Sequence, residues 1–205
     1  RNITKDSCEF YGVRSGEGNH YYPYTDSSGV TVACKVRHCE SKSFVIQGDF
    51  KKAGLFGQNL FPKAGKFLTI TEGELDALAA FQMMGSKYPV VSVRNGAQAA
   101  LKDCKENYDW INSFETVVLC FDNDEPGKEA SDKVAELFGS KVRVFKATGN
   151  YKDACDYLAD NASREFIDTW WKAEQWQPDG IVAGSSLWEE VNRPVEKSSA
   201  VYPWT

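Results

Sequence analysis

The chain has 205 residues, 42% of them hydrophobic and 26% charged, with a formal net charge of −5. That is apolar material enough for a core shared between two lobes. No apolar run is long enough to cross a bilayer and no leader pattern opens the chain, so a soluble, cytosolic protein is expected. The first residue is Arg1 rather than Met, which reads as an excised fragment.

In chain order, residues 4–12 read as a short helix with Thr4 as N-cap and Gly12 as stop. Strands follow at 19–26, 30–38 and 43–48, with Asp26-Ser-Ser-Gly29 as the first turn. In the second strand Val30, Val32, Cys34 and Val36 form one face. Thr31, Lys35 and Arg37 form the other, whose plainer reading is a solvated strand face. From Lys66 the pattern changes to alternating strand and helix. Strands are expected at 66–71, 88–93, 116–121 and 141–146, and helices at 74–84, 97–112, 127–138, 153–161 and 163–175. Such alternation implies right-handed crossovers and a mainly parallel sheet. The expected fold is therefore α/β, with a small mixed α+β N-terminal lobe (1–64) and a Rossmann-like lobe (65–177). Residues 178–205 read as a linker, with one short helix over 185–191.

Charge follows this division. Residues 1–66 hold ten Lys/Arg against six Asp/Glu, a net +4, and the remainder is −9. A basic lobe beside an acidic one suits polyanion binding next to metal binding, although ordinary surface charge gives the same pattern. The six cysteines (Cys8, Cys34, Cys39, Cys104, Cys120 and Cys155) form no C-x-x-C pair and read as reduced, mostly buried thiols. The Cys34, His38, Cys39 spacing fits no usual zinc finger, so no zinc is expected.

Two stretches carry the chemistry. Phe67-Leu-Thr-Ile-Thr-Glu72-Gly-Glu-Leu-Asp76 and Val117-Val-Leu-Cys-Phe-Asp122-Asn-Asp124-Glu-Pro-Gly127 are apolar runs that end abruptly in acid and continue as helices. That places Glu72, Asp122 and Asp124 at strand C-termini, the edge where open α/β sheets bind ligands. Residues i and i+2 of a strand face one way, so Asp122 and Asp124 are expected to share a site for a hard divalent cation. Asp76 lies one helical turn after Glu72, placed to orient it. Asp153, after the last strand, adds an acid at the same edge. Glu74, Asp76 and Asp153 would equally serve as helix-start acids. Metal-bound carboxylates serve nucleotidyl transfer and phosphodiester hydrolysis alike, and the acids alone do not choose. Lys35 and Arg37 on one strand face, with Lys42 beyond the next turn, form a cluster able to hold a triphosphate.

The acid pair resembles the TOPRIM signature. The order of pieces is also recognisable: the K-V-R strand, L-F-G-x-x-L, T-E-G-E-x-D, K-Y-P-V-V-S, F-D-x-D-x-x-G, K-V-R-V and K-D-A. This resembles the primase half of the bifunctional primase–helicases of bacteriophage T7-like phages, from about Thr4 to about Val182. The resemblance implies a DNA primase that makes short RNA primers from ribonucleoside triphosphates on single-stranded DNA. It implies that Glu72, Asp122 and Asp124 are catalytic and, with Asp153, hold Mg2+ (Mn2+ as the alternative), with Asp76 behind them. Lys35, Arg37 and Lys42 then contact nucleotide or template. The implied partners are the zinc and helicase modules of the same polypeptide and a replicative DNA polymerase, in the cytoplasm of an infected bacterium. The fragment itself is expected to be a monomer that binds single strands weakly. Two other readings share the acids, a TOPRIM nuclease and a catalytically silent single-strand-binding domain.

Overall fold

A computed structural model describes residues 2–178, 180–181, 184 and 187–193. Two sheets form the molecule. The first is antiparallel, in the order β1 (Arg14–Gly16), β2 (Asn19–Thr25), β3 (Thr31–His38), β4 (Phe44–Gly48). Before it stands α1 (Lys5–Phe10), whose N-cap Thr4 accepts from the Ser7 N–H at 3.3 Å and so satisfies one donor of the open helix start. β1 is three exposed residues and carries no alternation to mark it in sequence.

Cross-strand register identifies the inward face of this sheet. Tyr22 sits opposite Lys35, Tyr24 opposite Ala33, Ile46 opposite Lys35, and both His20 and Phe44 opposite Arg37. Opposed residues of an antiparallel pair lie on one side of the sheet. Tyr22, Tyr24 and Ala33 are buried, and both tyrosine rings meet Phe56. The expected polarity of β3 is therefore reversed. Lys35 and Arg37 do share a face, but it is the inward one. Val32 and Cys34, on the other face, are only half-buried, although Val36 is buried. The valines of β3 count for less than the two tyrosines contributed by its neighbour, which supply far more apolar area.

The second sheet runs in the order β6 (Val90–Ser92), β5 (Gly65–Thr71), β7 (Phe114–Cys120), β8 (Val142–Val144), β9 (Glu174–Gln175). All pairs are parallel except β8–β9. Its helices are α2 (Glu74–Met83), α3 (Ala97–Glu106), α4 (Tyr108–Ile111), α5 (Glu125–Phe138), α6 (Ala154–Ala159) and α7 (Ser163–Trp171), with α8 (Trp188–Val191) beyond. Among the described residues no helix is long and apolar enough to cross a membrane. The expected helix over 97–112 is divided at Asn107, whose amide donates to the Asp103 carbonyl at 2.9 Å and ends α3. The expected helix over 163–175 stops at Trp171, and its last residues form β9 on the sheet edge. Of the linker reading for 178–205, residues 194–205 lie outside the described residues.

Leu68, Ile70, Val91, Val117 and Leu119 fill one core with α3 and α5. Val90, Val118 and Cys120 fill the other with α2, α6 and α7. Helix α2 is buried on nearly every side, from Ala77 through Phe81, because the first lobe covers the surface that the sheet leaves open. Phe10 stacks on Phe81 with centroids 4.7 Å apart, and Tyr11 meets Phe81 edge-on at 5.3 Å. The Tyr11 hydroxyl donates to the Val90 carbonyl at 2.7 Å. The two lobes thus share one core, which holds their facing surfaces in a defined relation.

Candidate metal and nucleotide site

Strand order decides where the acids meet. β5 has a neighbour on each side, and the chain leaves it first to β6 on one side and then to β7 on the other. A crevice opens where direction reverses in this way, beyond the strand C-termini. Thr71 and Cys120 are in register there. Glu72 follows the first and Asp122 lies two residues past the second, so both stand at the crevice. With Lys35, Phe44, Ile46, Gly73, Glu74, Asp76, Asn95 and Gly96 they line a cavity of about 480 Å3.

Glu72 is held by the N–H groups of Ala97 and Asp122, yet its Oε2 is buried with no hydrogen-bond partner. Burial, and then the nearby charge of Asp122, push its carboxyl above the usual range. Asp76 accepts from the Cys155 N–H at 3.2 Å. Burial and then the charge of Asp153 raise it to about 7. Asp76, Asp153 and Cys155 bring ligand atoms within 4.8 Å of one another. Burial and the same acids push the Cys120 thiol well above its usual value. An orphaned buried carboxylate oxygen and crowded acids of one sign are what a hard divalent cation would relieve, so the residues present fit such an ion.

Asp124 reaches the site differently from expectation. The strand has ended before Asp122, and Asp124 is the N-cap of α5, its Oδ1 accepting from the Gly127 N–H at 3.0 Å. Asp153 caps α6 in the same manner, accepting from the Asp156 N–H at 2.9 Å. Capping and site roles are compatible, because a cap engages one carboxylate oxygen and leaves the other. Asp124 Oδ2 is 3.0 Å from Lys152 Nζ, which is also 3.0 Å from Asp122 Oδ2. The Gly127 bond, then Lys152, hold Asp124 below the usual carboxylate range, while the two aspartates raise Lys152. Gly127 explains the spacing of the motif. A Cβ there would lie 2.1 Å from the Asp122 carbonyl oxygen, so only glycine lets α5 start this close.

The basic cluster is divided. Lys35 is a buried cation, its ammonium 2.7 Å from Glu74 Oε1 and 2.9 Å from the Arg94 carbonyl oxygen. Tyr24 donates to the same Glu74 oxygen at 2.6 Å. Lys35 therefore lines the crevice with its charge paired to Glu74. Arg37 and Lys42 have no ion-pair partner among the described residues. Arg37 lies 5.6 Å from the Phe44 ring centroid, and Lys42 is exposed in the β3–β4 turn. Arg94, in the loop after β6, is committed to Asp103, Glu106 and the Ala53 carbonyl.

Residues 69–158 match the family model described as Toprim-like. The primase fragment of the bacteriophage T7 primase-helicase superposes with a TM-score of 0.75 at 36% identity, over 82% of this chain and 71% of that one. The chain belongs to the Toprim-containing primase family of the phage primase–helicases. Primase domains of the T7 protein in a complex with the lagging-strand DNA polymerase, an RNA/DNA hybrid and dTTP match at 37% identity, over 85% of this chain and 89% of that one, also with a TM-score of 0.75. The DNA helicase/primase of Enterobacteria phage T3 is 35% identical over 98% of this chain, which spans only 36% of that protein.

The primase fold brings Glu72, Asp76, Asp122, Asp124 and Asp153 to one sheet edge, with Lys35 on the opposite wall. Sequence reasoning missed Glu74 as the partner of Lys35 and Lys152 as the bridge between the two aspartates. The first hid among helix-start acids. The second stood beside Asp153 in K-D-A, where a lysine next to a predicted metal acid was the available signal.

Proposed function

We propose that this chain is a DNA primase domain that joins ribonucleotides into short RNA on a single-stranded DNA template, releasing pyrophosphate. The observation that carries the reading is the approach of Glu72 to Asp122 across the β5–β7 crevice, with Glu72 Oε2 buried and unsatisfied. Membership of the primase family supports it. In this reading Glu72, Asp122 and Asp124 hold Mg2+, with Mn2+ as the alternative, and Asp153 adds to the set. Bound metal supplies phosphate-oxygen binding, activation of the attacking 3′-hydroxyl and charge neutralisation at the leaving pyrophosphate.

The chain's own residues do the positioning. The ends of β5 and β7 carry Glu72 and Asp122 to the crevice, and the α5 cap orients Asp124. Lys152 holds the two aspartates together and limits their repulsion. The Tyr24–Glu74–Lys35 chain ties the antiparallel lobe to the first turn of α2, so the wall facing the acids keeps its place. Arg37 and Lys42 remain for the triphosphate or the template backbone. The nucleophile is the substrate's hydroxyl, so no side chain is assigned that role.

The T7 domains in complex with a lagging-strand polymerase support a replicative DNA polymerase as a partner. Zinc and helicase modules on the same polypeptide, a monomeric state for this part alone, and the cytoplasm of an infected bacterium complete the proposal. The test is incubation with ribonucleoside triphosphates, Mg2+ and mixed-sequence single-stranded DNA. Short RNA and pyrophosphate are expected. Cleaved strands without pyrophosphate would reassign the site to a nuclease.

A further inference from the structure

Arg94 is a buried cation to which the proposed reaction assigns no part. Its N–H donates to Asp103 Oδ2 at 2.7 Å, and its Nε and Nη2 donate to Asp103 Oδ1 at 2.9 and 2.6 Å. One carboxylate thus holds both the backbone and the side chain of one residue. Nη2 also reaches Glu106, and Nη1 donates to the Ala53 carbonyl at 2.9 Å and to the Phe50 carbonyl at 3.4 Å. The Arg94 carbonyl in turn accepts from Lys35 Nζ at 2.9 Å. One loop residue is therefore tied to α3, to the segment after β4 and to β3.

The residues that follow Arg94 belong to the acid site. Asn95 and Gly96 line the crevice, and Ala97, the first residue of α3, donates its N–H to Glu72. At Gly96 φ is +70°, and a Cβ there would stand 3.4 Å from Glu72 Oε1, so the turn passes close against that carboxylate. Asp103 and Glu106 lie on the same helix, about two turns further on. Through Arg94, then, α3 grips the loop that leads into it. The carbonyls of Phe50 and Ala53 come from the chain just past β4, whose Phe44 and Ile46 form the other wall of the crevice. We infer that Arg94, clamped by Asp103 and Glu106, is a positioning residue: it fixes the 94–97 turn between the two walls of the crevice and so sets where the Ala97 N–H holds Glu72. Apolar packing in place of a buried ion pair is often no less stable, so the contribution of this pair lies in the geometry it imposes.

The consequence for Glu72 rests on the metal role proposed above, whereas the clamp is measurable without metal. Wild type, Asp103→Asn, the milder Glu106→Gln and Phe114→Leu are compared. Phe114 is buried at the start of β7, at the sheet edge opposite the crevice, and controls for lost stability. The first readout, in EDTA, is amide hydrogen exchange of Ala97 relative to Leu119 inside β7. Asp103→Asn is expected to raise that ratio at least about tenfold, with Glu106→Gln intermediate and Phe114→Leu near wild type. The second is the affinity for Mn2+ alone, by calorimetric titration, which Asp103→Asn is expected to weaken roughly tenfold. Ala97 exchange that rises only in step with Leu119, or equal loss of Mn2+ binding in Asp103→Asn and Phe114→Leu, overturns the inference. If Asp103→Asn does not fold, an unchanged ratio in Glu106→Gln overturns it as well. A wild type that binds no Mn2+ removes the metal reading, and the exchange ratio still decides the clamp.

Discussion

The carboxyl edge of the parallel sheet and the inward face of the antiparallel sheet both concentrate charge, with opposite results. At the first, Glu72, Asp76, Asp122, Asp124 and Asp153 crowd together with one ammonium, Lys152, bridging two of them. Glu72 and Asp76 are pushed upward by burial and by each other's neighbours. At the second, cations two residues apart on one strand separate completely. Lys35 is buried and paired, whereas Arg37 has no carboxylate partner among the described residues. Availability of a charge is therefore set by depth and partner, and a count of residues does not give it. The acid edge carries more carboxylates than its one bridging ammonium pairs, whereas Lys35 is already settled by Glu74.

The largest expected effect lies at the acid edge. Asp122→Asn should cut nucleotide joining by at least about 1,000-fold, roughly 4 kcal/mol of barrier, while circular dichroism and thermal unfolding stay near wild type. Retention of wild-type primer synthesis with Mg2+ would remove Asp122 from the site.

On the antiparallel side, Lys35→Ala should act mainly on stability. It leaves Glu74 buried beside Tyr24 without its cation, and truncating one partner of a buried pair costs about 3–5 kcal/mol. Urea unfolding measures this. A stable variant with impaired triphosphate use would instead make Lys35 a ligand, and the contrast with Arg37 would vanish.

Asp76 gives a pH signature. Its folded-state value of about 7 lies above the ordinary 3.8, so between those values the folded state binds more protons than the unfolded one. Stability of the metal-free protein should then fall as pH rises from about 4 to about 7, by a few kcal/mol at most. Asp76→Asn should flatten that slope, and Mg2+ should reduce it. Unfolding midpoints in EDTA across this range, equal for both proteins, would show that Asp76 is not strained.

The smallest effect on the fold is expected at Arg37. Arg37→Ala should change stability by less than about 0.5 kcal/mol and weaken nucleotide or strand binding several-fold. Unfolding and binding curves that both match wild type would return Arg37 to the solvated surface.

The acid edge is largely legible in the sequence. Phe67 to Thr71 and Val117 to Cys120 announce strands, and the carboxylates that follow announce the functional end. The doubled role of Asp124 and Asp153 was not, because whether a strand persists past Cys120 depends on how closely α5 approaches, and Gly127 settles that only in three dimensions. The polarity of β3 failed for a similar reason. Its own alternation favoured the valine face, while the deciding tyrosines belong to β2 and act through register. Glu74 could not be told from a helix-start acid without knowing that Lys35 faces it from another lobe.

Strand β4 carries a practical consequence. It is one of the two edge strands of its sheet, and Phe44, Val45 and Ile46 are 43–48% exposed. An edge so apolar is a ready template for added backbone pairing from another chain. Self-association at high protein concentration should begin there, and a single lysine at Val45, on the face away from the crevice, should improve solubility without touching the acid site.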